Sequence, residues 1–223
     1  PTLALVVERQ KAIENFKPET YWEIRTNYRE GLFSCLRGRF NKKEEAEALL
    51  EKIIPLELEI LSIERKKAME HPPKLFDLTL LQVECNRKFA YTAENTLKII
   101  QSLYEKKLTT YPRVDTNFLP NDQYAKVPKI LQGLKPYEAL TQPILSGGKI
   151  RKSAKVFNDK KITDHHAIIP TRELQKCNLS ELPKGELAIL QLISNRLCVA
   201  VGDPHRYAET VIELDCGGTV FST

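Results

Sequence analysis

"PPKLFDLTLLQVECNRKF", residues 72–89, is where the pattern of the chain changes. Before Pro72-Pro73 apolar and polar residues tend to alternate. After it they recur every three or four positions, Leu78, Leu81, Cys85 and Phe89 forming one stripe. A period of two marks a half-buried strand and a period near 3.6 an amphipathic helix, so a β-region gives way to a helical one here. Thr79 and Gln82 have the spacing of a capping box, which predicts the helix start. The reverse change lies near the other end. "KGELAILQLISNRLCVAV", residues 184–201, predicts a long helix stopped at Gly202, and beyond Asp203-Pro204 the stretch "YAETVIELDCGGTVFS" alternates again as strand. The order β, then helices, then β, with breakers at both crossings, predicts an α+β multidomain chain. A helical domain is inserted into a β-rich one, and the two crossings make a natural hinge.

The flanks agree with this. Residues 2–16 read as a helix with Leu5, Ile13 and Phe16 near one face, ended at Lys17-Pro18. "YWEIRTNY" (21–28) sets Trp22, Ile24, Thr26 and Tyr28 against Glu23, Arg25 and Asn27, and "GLFSCLRGRF" (31–40) follows as its hairpin partner. "KKEEAEALLEKI" (42–53) is a short amphipathic helix. "LELEILSIERKK" (56–67) returns to alternation, Leu56, Leu58 and Ile60 against glutamates. Within the helical part, Thr92 is an N-cap for residues 93–107, with Leu97, Ile100 and Tyr104 facing inward and Lys106 and Lys107 at the negative end of the dipole. A loop follows, then a short helical piece between Asn121 and Gln132, interrupted by Pro128 and stopped at Gly133.

Five scattered cysteines with no C-x-x-C pair argue for reduced thiols in an intracellular protein, against a disulfide framework and against a zinc site. No apolar run approaches the roughly 18 residues of a membrane span. The net charge of +5 is uneven: residues 97–176 hold 15 Lys/Arg against 7 Asp/Glu, leaving the remainder mildly acidic. Such a block is either a polyanion-binding surface or a solvated lysine-rich face.

Two stretches carry chemistry. In "LTTYPRVDTNFLP" (108–120), Pro112 stops the preceding helix beside Tyr111. A phenol, with a pKa near 10 in water, needs cationic help or a base to act as a nucleophile. Arg113 offers charge and a planar fork for two phosphate oxygens, and Asp115 is placed to orient it. In an extended segment Tyr111, Arg113 and Asp115 project to one side. The plainer alternative is a packed tyrosine beside a surface Arg113–Asp115 ion pair. In "KKITDHHAIIPT" (160–171), adjacent His165 and His166 point opposite ways on a strand. One faces a pocket, where it donates to a phosphate oxygen, or both are structural.

Together these motifs resemble those of type IA DNA topoisomerases, with Pro112 and the Ile169-Pro170-Thr171 run leaning to the bacterial topoisomerase III branch. The resemblance covers nearly the whole chain in order and spacing, "PTLALVVERQKAIENFKPETYWEI" and residues 72–105 included. It implies that residues 1–16 end a DNA-binding helical segment, 17–76 and 203–223 form a β-rich arch, and 77–202 are an inserted helical domain bearing the catalytic tyrosine. It further implies Tyr111 as the nucleophile that forms a 5′-phosphotyrosine, and Arg113 and His165 as catalytic groups. DNA contacts are implied at Arg113, Asp115, Thr116 and His165. Val114 departs from the usual threonine, and His166 stands where relatives often carry glutamate, so it receives no role.

The family's N-terminal Toprim domain binds magnesium through an Asp-x-Asp cluster, which this sequence lacks. Glu57 and Glu59 read as the solvated face of a strand. The resemblance therefore implies a central gate fragment, inactive alone, that works with Mg2+ held elsewhere in a longer chain. It also implies no ATP, single-stranded DNA as partner, no membrane, and a cytoplasmic, nucleoid-associated location. Tyr104 and Phe118 either stack on bases or pack in the core. A plain nucleic-acid-binding module is one rival reading. A tyrosine recombinase is another, but it places its histidine before a late tyrosine, the reverse of the order here.

Overall fold

The computed structural model describes residues 2–147 and 150–223. The chain forms two compact units, residues 1–68 with 207–223, and residues 69–206. The architecture is α+β.

The first unit starts with α1 (Thr2–Glu14), which buries no residue; Leu5, Ile13 and Phe16 stay exposed. The hairpin β1 (Arg25–Tyr28) and β2 (Gly31–Cys35) pairs Arg25 with Ser34 and Tyr28 with Gly31. The predicted alternation holds: Ile24 is buried between exposed Glu23 and Arg25. Then come α2 (Lys43–Ile53) and β3 (Glu59–Glu70), and from the chain's end β4 (His205–Cys216) and β5 (Thr219–Ser222). The sheet order is β1-β2-β5-β4-β3, so the last strand is inserted between β2 and β4. Phe221 there lies opposite both Cys35 and Leu214, and all three join Ile24, Phe33 and Phe40 in a core that α2 covers with Ala46 and Ile53.

Two expectations change here. "DCGGTVF" is a hairpin and not one strand: Gly217 and Gly218, at φ 58° and 82°, form its two-residue loop. Positive φ at both loop positions matches the twist of the flanking strands and favours glycine. A Cβ on Gly217 would also lie 2.3 Å from Leu56 Cδ1. The alternation of Leu56, Leu58 and Ile60 does form part of a strand, but only from Glu59, and it marks no buried face. Ile60, Leu61 and Ile63 are 53%, 55% and 52% exposed. β3 is an edge strand, and the core beneath α2 is made by residues of β2, β5 and β4 with Ile24 and Phe40.

The second unit is built of α3 (Leu78–Phe89), α4 (Ala93–Glu105), α5 (Val127–Gly133), α6 (Glu138–Ser146) and α7 (Lys184–Val201), joined by loops and 3₁₀ turns. The α7 helix is central, burying Ile189, Leu190, Ile193, Leu197 and Val201 against a core that includes Leu81, Cys85, Ile100, Leu103 and Leu131. The division between units falls inside β3 and β4, not at Pro72-Pro73 and Asp203-Pro204. Pro72-Pro73 lead instead into the buried Leu75-Phe76 that opens this core.

Thr92 caps α4 as predicted, its Oγ1 accepting from Asn95 N–H at 3.1 Å. The cap of α3 is Asp77 and not Thr79: its carboxylate accepts from Leu80 N–H at 2.7 Å, and Gln82 instead donates to the Ala93 carbonyl. The stripe of α4 sits one step from the predicted one. Thr96, Ile100 and Leu103 are buried, Leu97 is half-buried and Tyr104 stays at the rim. Pro128 lies in the first turn of α5 and does not interrupt it, because a first-turn residue has no intrahelical N–H bond to lose.

The end of α4 is held by a buried carboxylate. Glu186, in the first turn of α7 with its side chain 8% exposed, accepts from Ser102 Oγ at 2.8 Å and from Lys106 Nζ at 2.6 Å. Glu186→Ala removes both bonds. The Ser102 bond to a buried charge contributes about 1.5–3 kcal/mol, and the pairing with Lys106, 43% exposed, adds less than about 1 kcal/mol. Chemical denaturation should therefore show a loss of roughly 2–3 kcal/mol. A smaller loss for Glu186→Gln would separate the charge from the packing.

All five cysteines are free. Burial pushes the thiols of Cys85 and Cys198 up to about 11, so neither is a thiolate at neutral pH. Among the described residues no helix is long and apolar enough to cross a membrane.

Candidate active site

The segment after α4 is extended and alternates in burial. Pro112, Val114, Thr116 and Phe118 are buried, whereas Arg113 and Asp115 are exposed and Tyr111 and Asn117 half-exposed. The sequence produces this by placing apolar or small residues at every second position, and Pro112 prevents helical continuation. Tyr111, Arg113 and Asp115 therefore share the open side.

Backbone bonds bring the second motif alongside. Thr110 N–H donates to the Ile169 carbonyl at 3.0 Å, and Thr171 N–H to that of Leu108 at 3.0 Å. The Thr110 hydroxyl accepts from Ile169 N–H at 3.0 Å and donates to the Ala167 carbonyl at 3.3 Å. Ala167 N–H reaches the Phe118 carbonyl at 2.9 Å, and Ile168 N–H that of Phe76 at 2.8 Å. The buried run Ala167-Ile168-Ile169 is thus sewn to both sides of the tyrosine segment, and His165 just ahead of it lies over Tyr111. The ring centroids are 4.6 Å apart at a tilt of 45°. Tyr104 meets the same ring edge-on at 5.5 Å.

Each proposed site residue has a definite place. Arg113 is exposed, with no hydrogen bond or ion pair among the described residues, so the surface Arg113–Asp115 pair does not form. Asp115 instead accepts from Thr163 Oγ1, at a long 3.5 Å. Thr116 is not on the open side. Its buried hydroxyl donates to the Lys161 carbonyl at 2.8 Å and accepts from Phe118 N–H at 3.3 Å, which makes it a tie between loops. Val114 also faces the core, at 7% exposure. The missing hydroxyl at that position is therefore an interior substitution, directed away from Arg113's side. The two histidines do differ: His165 is exposed over Tyr111, while half-buried His166 approaches the Ala167 carbonyl through Nδ1 at 2.8 Å. They lie in an irregular bend and not in a strand. Phe118 belongs to the buried set, and Tyr104 serves the tyrosine ring.

Sequence reasoning missed Thr110, whose hydroxyl bonds twice across to the histidine segment. The adjacent Thr109-Thr110 pair opposite an "AIIP" run, β-branched residues facing a buried run, was the available signal. Thr110→Val strands the Ile169 N–H in a buried place. It should cost about 1–2 kcal/mol in denaturant unfolding, whereas Thr110→Ser should cost less than half of that.

Among the described residues no three His, Cys, Asp or Glu side chains gather where they could hold a metal ion. The site provides a phenol, an unpaired guanidinium and an imidazole on one open side. That set suits an anionic, tetrahedral group: a guanidinium fork can take two oxygens and an imidazole a third, and a phenol oxygen can act as a nucleophile.

The whole chain, residues 1–223, matches a family model described as DNA topoisomerase. It is 32% identical over 230 residues to a protein named DNA topoisomerase 3 from Bacillus licheniformis, covering 100% of this chain and 31% of the relative. It is also 32% identical over 225 residues to DNA topoisomerase 3 of Staphylococcus aureus strain MRSA252, covering 99% of this chain and 31% of that relative. Among solved structures, full-length topoisomerase I from Thermotoga maritima superposes with a TM-score of 0.71 at 24% identity, over 100% of this chain and 36% of that one. The likeness to that structure concerns the fold. The chain spans about a third of the length of each relative.

Proposed function

This chain belongs to the DNA topoisomerase family, and on that premise we propose that it carries the tyrosine gate of a type IA enzyme that breaks and rejoins single DNA strands without ATP. The Tyr111 oxygen attacks a backbone phosphorus, the new O–P bond replaces the P–O3′ bond, and the 5′-phosphate stays on the protein. The phenol proton is given up and the leaving 3′-oxygen gains one, so the products are a 5′-phosphotyrosine and a 3′-hydroxyl. One phosphodiester replaces another, and the reverse attack reseals the strand with no outside energy source.

The roles of the residues follow from chemistry. Arg113 holds two non-bridging oxygens and offsets the charge that grows as the bond breaks. His165, against the Tyr111 ring, donates to the same phosphate. Asp115 borders the site through Thr163, and Thr116 acts beneath it by holding the segment in place. Magnesium and the proton-transfer groups are assigned to the rest of a longer protein, outside the third that this chain matches. The 223-residue chain alone is expected to be inactive, with its setting the DNA of the cell. The observation that carries the reading is the meeting of Tyr111 and His165 on the side where Arg113 has no partner.

The test uses the parent-length polypeptide with magnesium and a single-stranded oligonucleotide labelled at its 3′ end. Label that stays on protein after denaturation establishes a 5′ linkage. Label retained only from a 5′-labelled strand would indicate a 3′ linkage and a recombinase-like reaction. Tight binding without any adduct would reduce the chain to a DNA-binding module.

A further inference from the structure

A second basic site lies in the helical unit, on residues that take no part in the tyrosine site. A cavity of about 420 Å³ is lined by Lys74, Phe118, Arg151, Ser153, Lys155 and Lys161 together with neighbouring small, apolar and imidazole groups, and no carboxylate borders it. None of its four cations has an ion-pair partner among the described residues. Lys74 and Lys161 both place their ammonium groups over the Phe118 ring, at 5.9 and 4.9 Å from its centroid. Gathering like charges without a counter-ion is unfavourable, and a bound anion would relieve it.

The backbone that bears these cations is fixed. Arg151 N–H donates to the Val201 carbonyl at 3.1 Å. Leu119 N–H donates to the Val156 carbonyl at 2.8 Å, and Asn158 N–H returns to the Leu119 carbonyl at 2.9 Å. The loop 151–158 is therefore bound to the segment that carries Tyr111. Phe118, however, belongs to the buried set of that segment, and Tyr111, Arg113 and His165 do not line the cavity.

We infer that this cavity binds backbone phosphates of a single DNA strand, at a second site distinct from the one where Tyr111 acts. The inference rests on the family reading given above. Its chemistry is that of phosphate: the Phe118 ring is buried and already covered by two ammonium groups, so it offers no open face for a base. Binding is then independent of sequence and strongly dependent on salt.

The experiment measures anisotropy of a fluorescent oligothymidylate on the parent-length protein across salt concentrations. It compares the unaltered protein with a triple variant, Arg151→Gln, Lys155→Gln and Lys161→Gln. Lys129→Gln, Lys135→Gln and Lys184→Gln, three exposed lysines away from the cavity, form a control of equal charge. Each single-strand phosphate contact contributes roughly −0.7 to the slope of log K against log salt, so the cavity variant should lose about two units of slope and bind at least about tenfold more weakly near 0.1 M salt. The control should keep its slope.

Equal slopes for cavity variant and unaltered protein overturn the inference, as does an equal loss in the control. Displacement of the strand by inorganic phosphate at constant ionic strength, in the unaltered protein but not the cavity variant, is the expected result, whereas equal displacement from both would place the strand elsewhere and overturns the inference too. If the triple variant melts early, Lys155→Glu alone is read in the same way. The adduct assay on unaltered protein is scored separately. An adduct without a slope difference refutes only the second site, and no adduct refutes the family chemistry.

Discussion

Tyr111→Phe should abolish the covalent protein–DNA adduct in the parent-length protein, a fall of roughly 10⁴-fold or more, because no other group can take over a bond-forming oxygen. The ring itself is kept, still packed against His165 and Tyr104. The phenol oxygen makes no hydrogen bond among the described residues, so its loss strands no partner. Stability should therefore stay within about 0.5 kcal/mol, and non-covalent binding of single-stranded DNA should be little changed. Gel-resolved adduct, thermal melting and anisotropy together separate the outcomes. An adduct that survives in the Phe variant places the nucleophile elsewhere. A variant that has lost both adduct and fold would mean that the hydroxyl is structural.

Arg113→Ala should slow adduct formation by about 10²–10³-fold at saturating DNA, the usual cost of removing one donor to a transition-state oxygen. Folding should not suffer, since the exposed guanidinium has no internal partner to abandon. Arg113→Lys is the sharper variant. It restores charge but not the planar fork, so it should recover only part of the rate and nearly all of the binding. Single-turnover rates decide this. Full recovery by lysine would show that charge alone matters, and an unimpaired alanine variant would remove Arg113 from the phosphate.

Much of this was legible in the sequence because it depended on local rules. The 22–28 alternation, the Thr92 cap and the long helix ending at Gly202 each follow from side-chain period and backbone chemistry within a few residues. Tyr111, Arg113 and Asp115 could be put on one side for the same reason, since alternation in an extended segment is local. What escaped depended on distant partners. Thr116 looked like a site residue, but its orientation is set by a carbonyl at Lys161. Asp77 displaced Thr79 as cap because the chain is still extended at Asp77, and nothing in the spacing distinguishes the two. The exposure of Ile60 and Ile63 reflects a position at the sheet edge, which strand order decides and local pattern does not.

The ties between residues 108–110 and 167–171 have one more consequence. Tyr111 and His165 are more than fifty positions apart in sequence, yet they stand on two pieces of backbone joined by main-chain and threonine bonds within a single packed body. On the proposed chemistry, whatever excursion that body makes, the broken strand's phosphate would travel as a passenger with its own escort, Arg113 and His165 still beside it. The free 3′ end would have to be kept by someone else. A custody arrangement of that kind divides the cut strand between two keepers, and it means that rejoining depends on bringing the keepers back together, with no need to find the phosphate again.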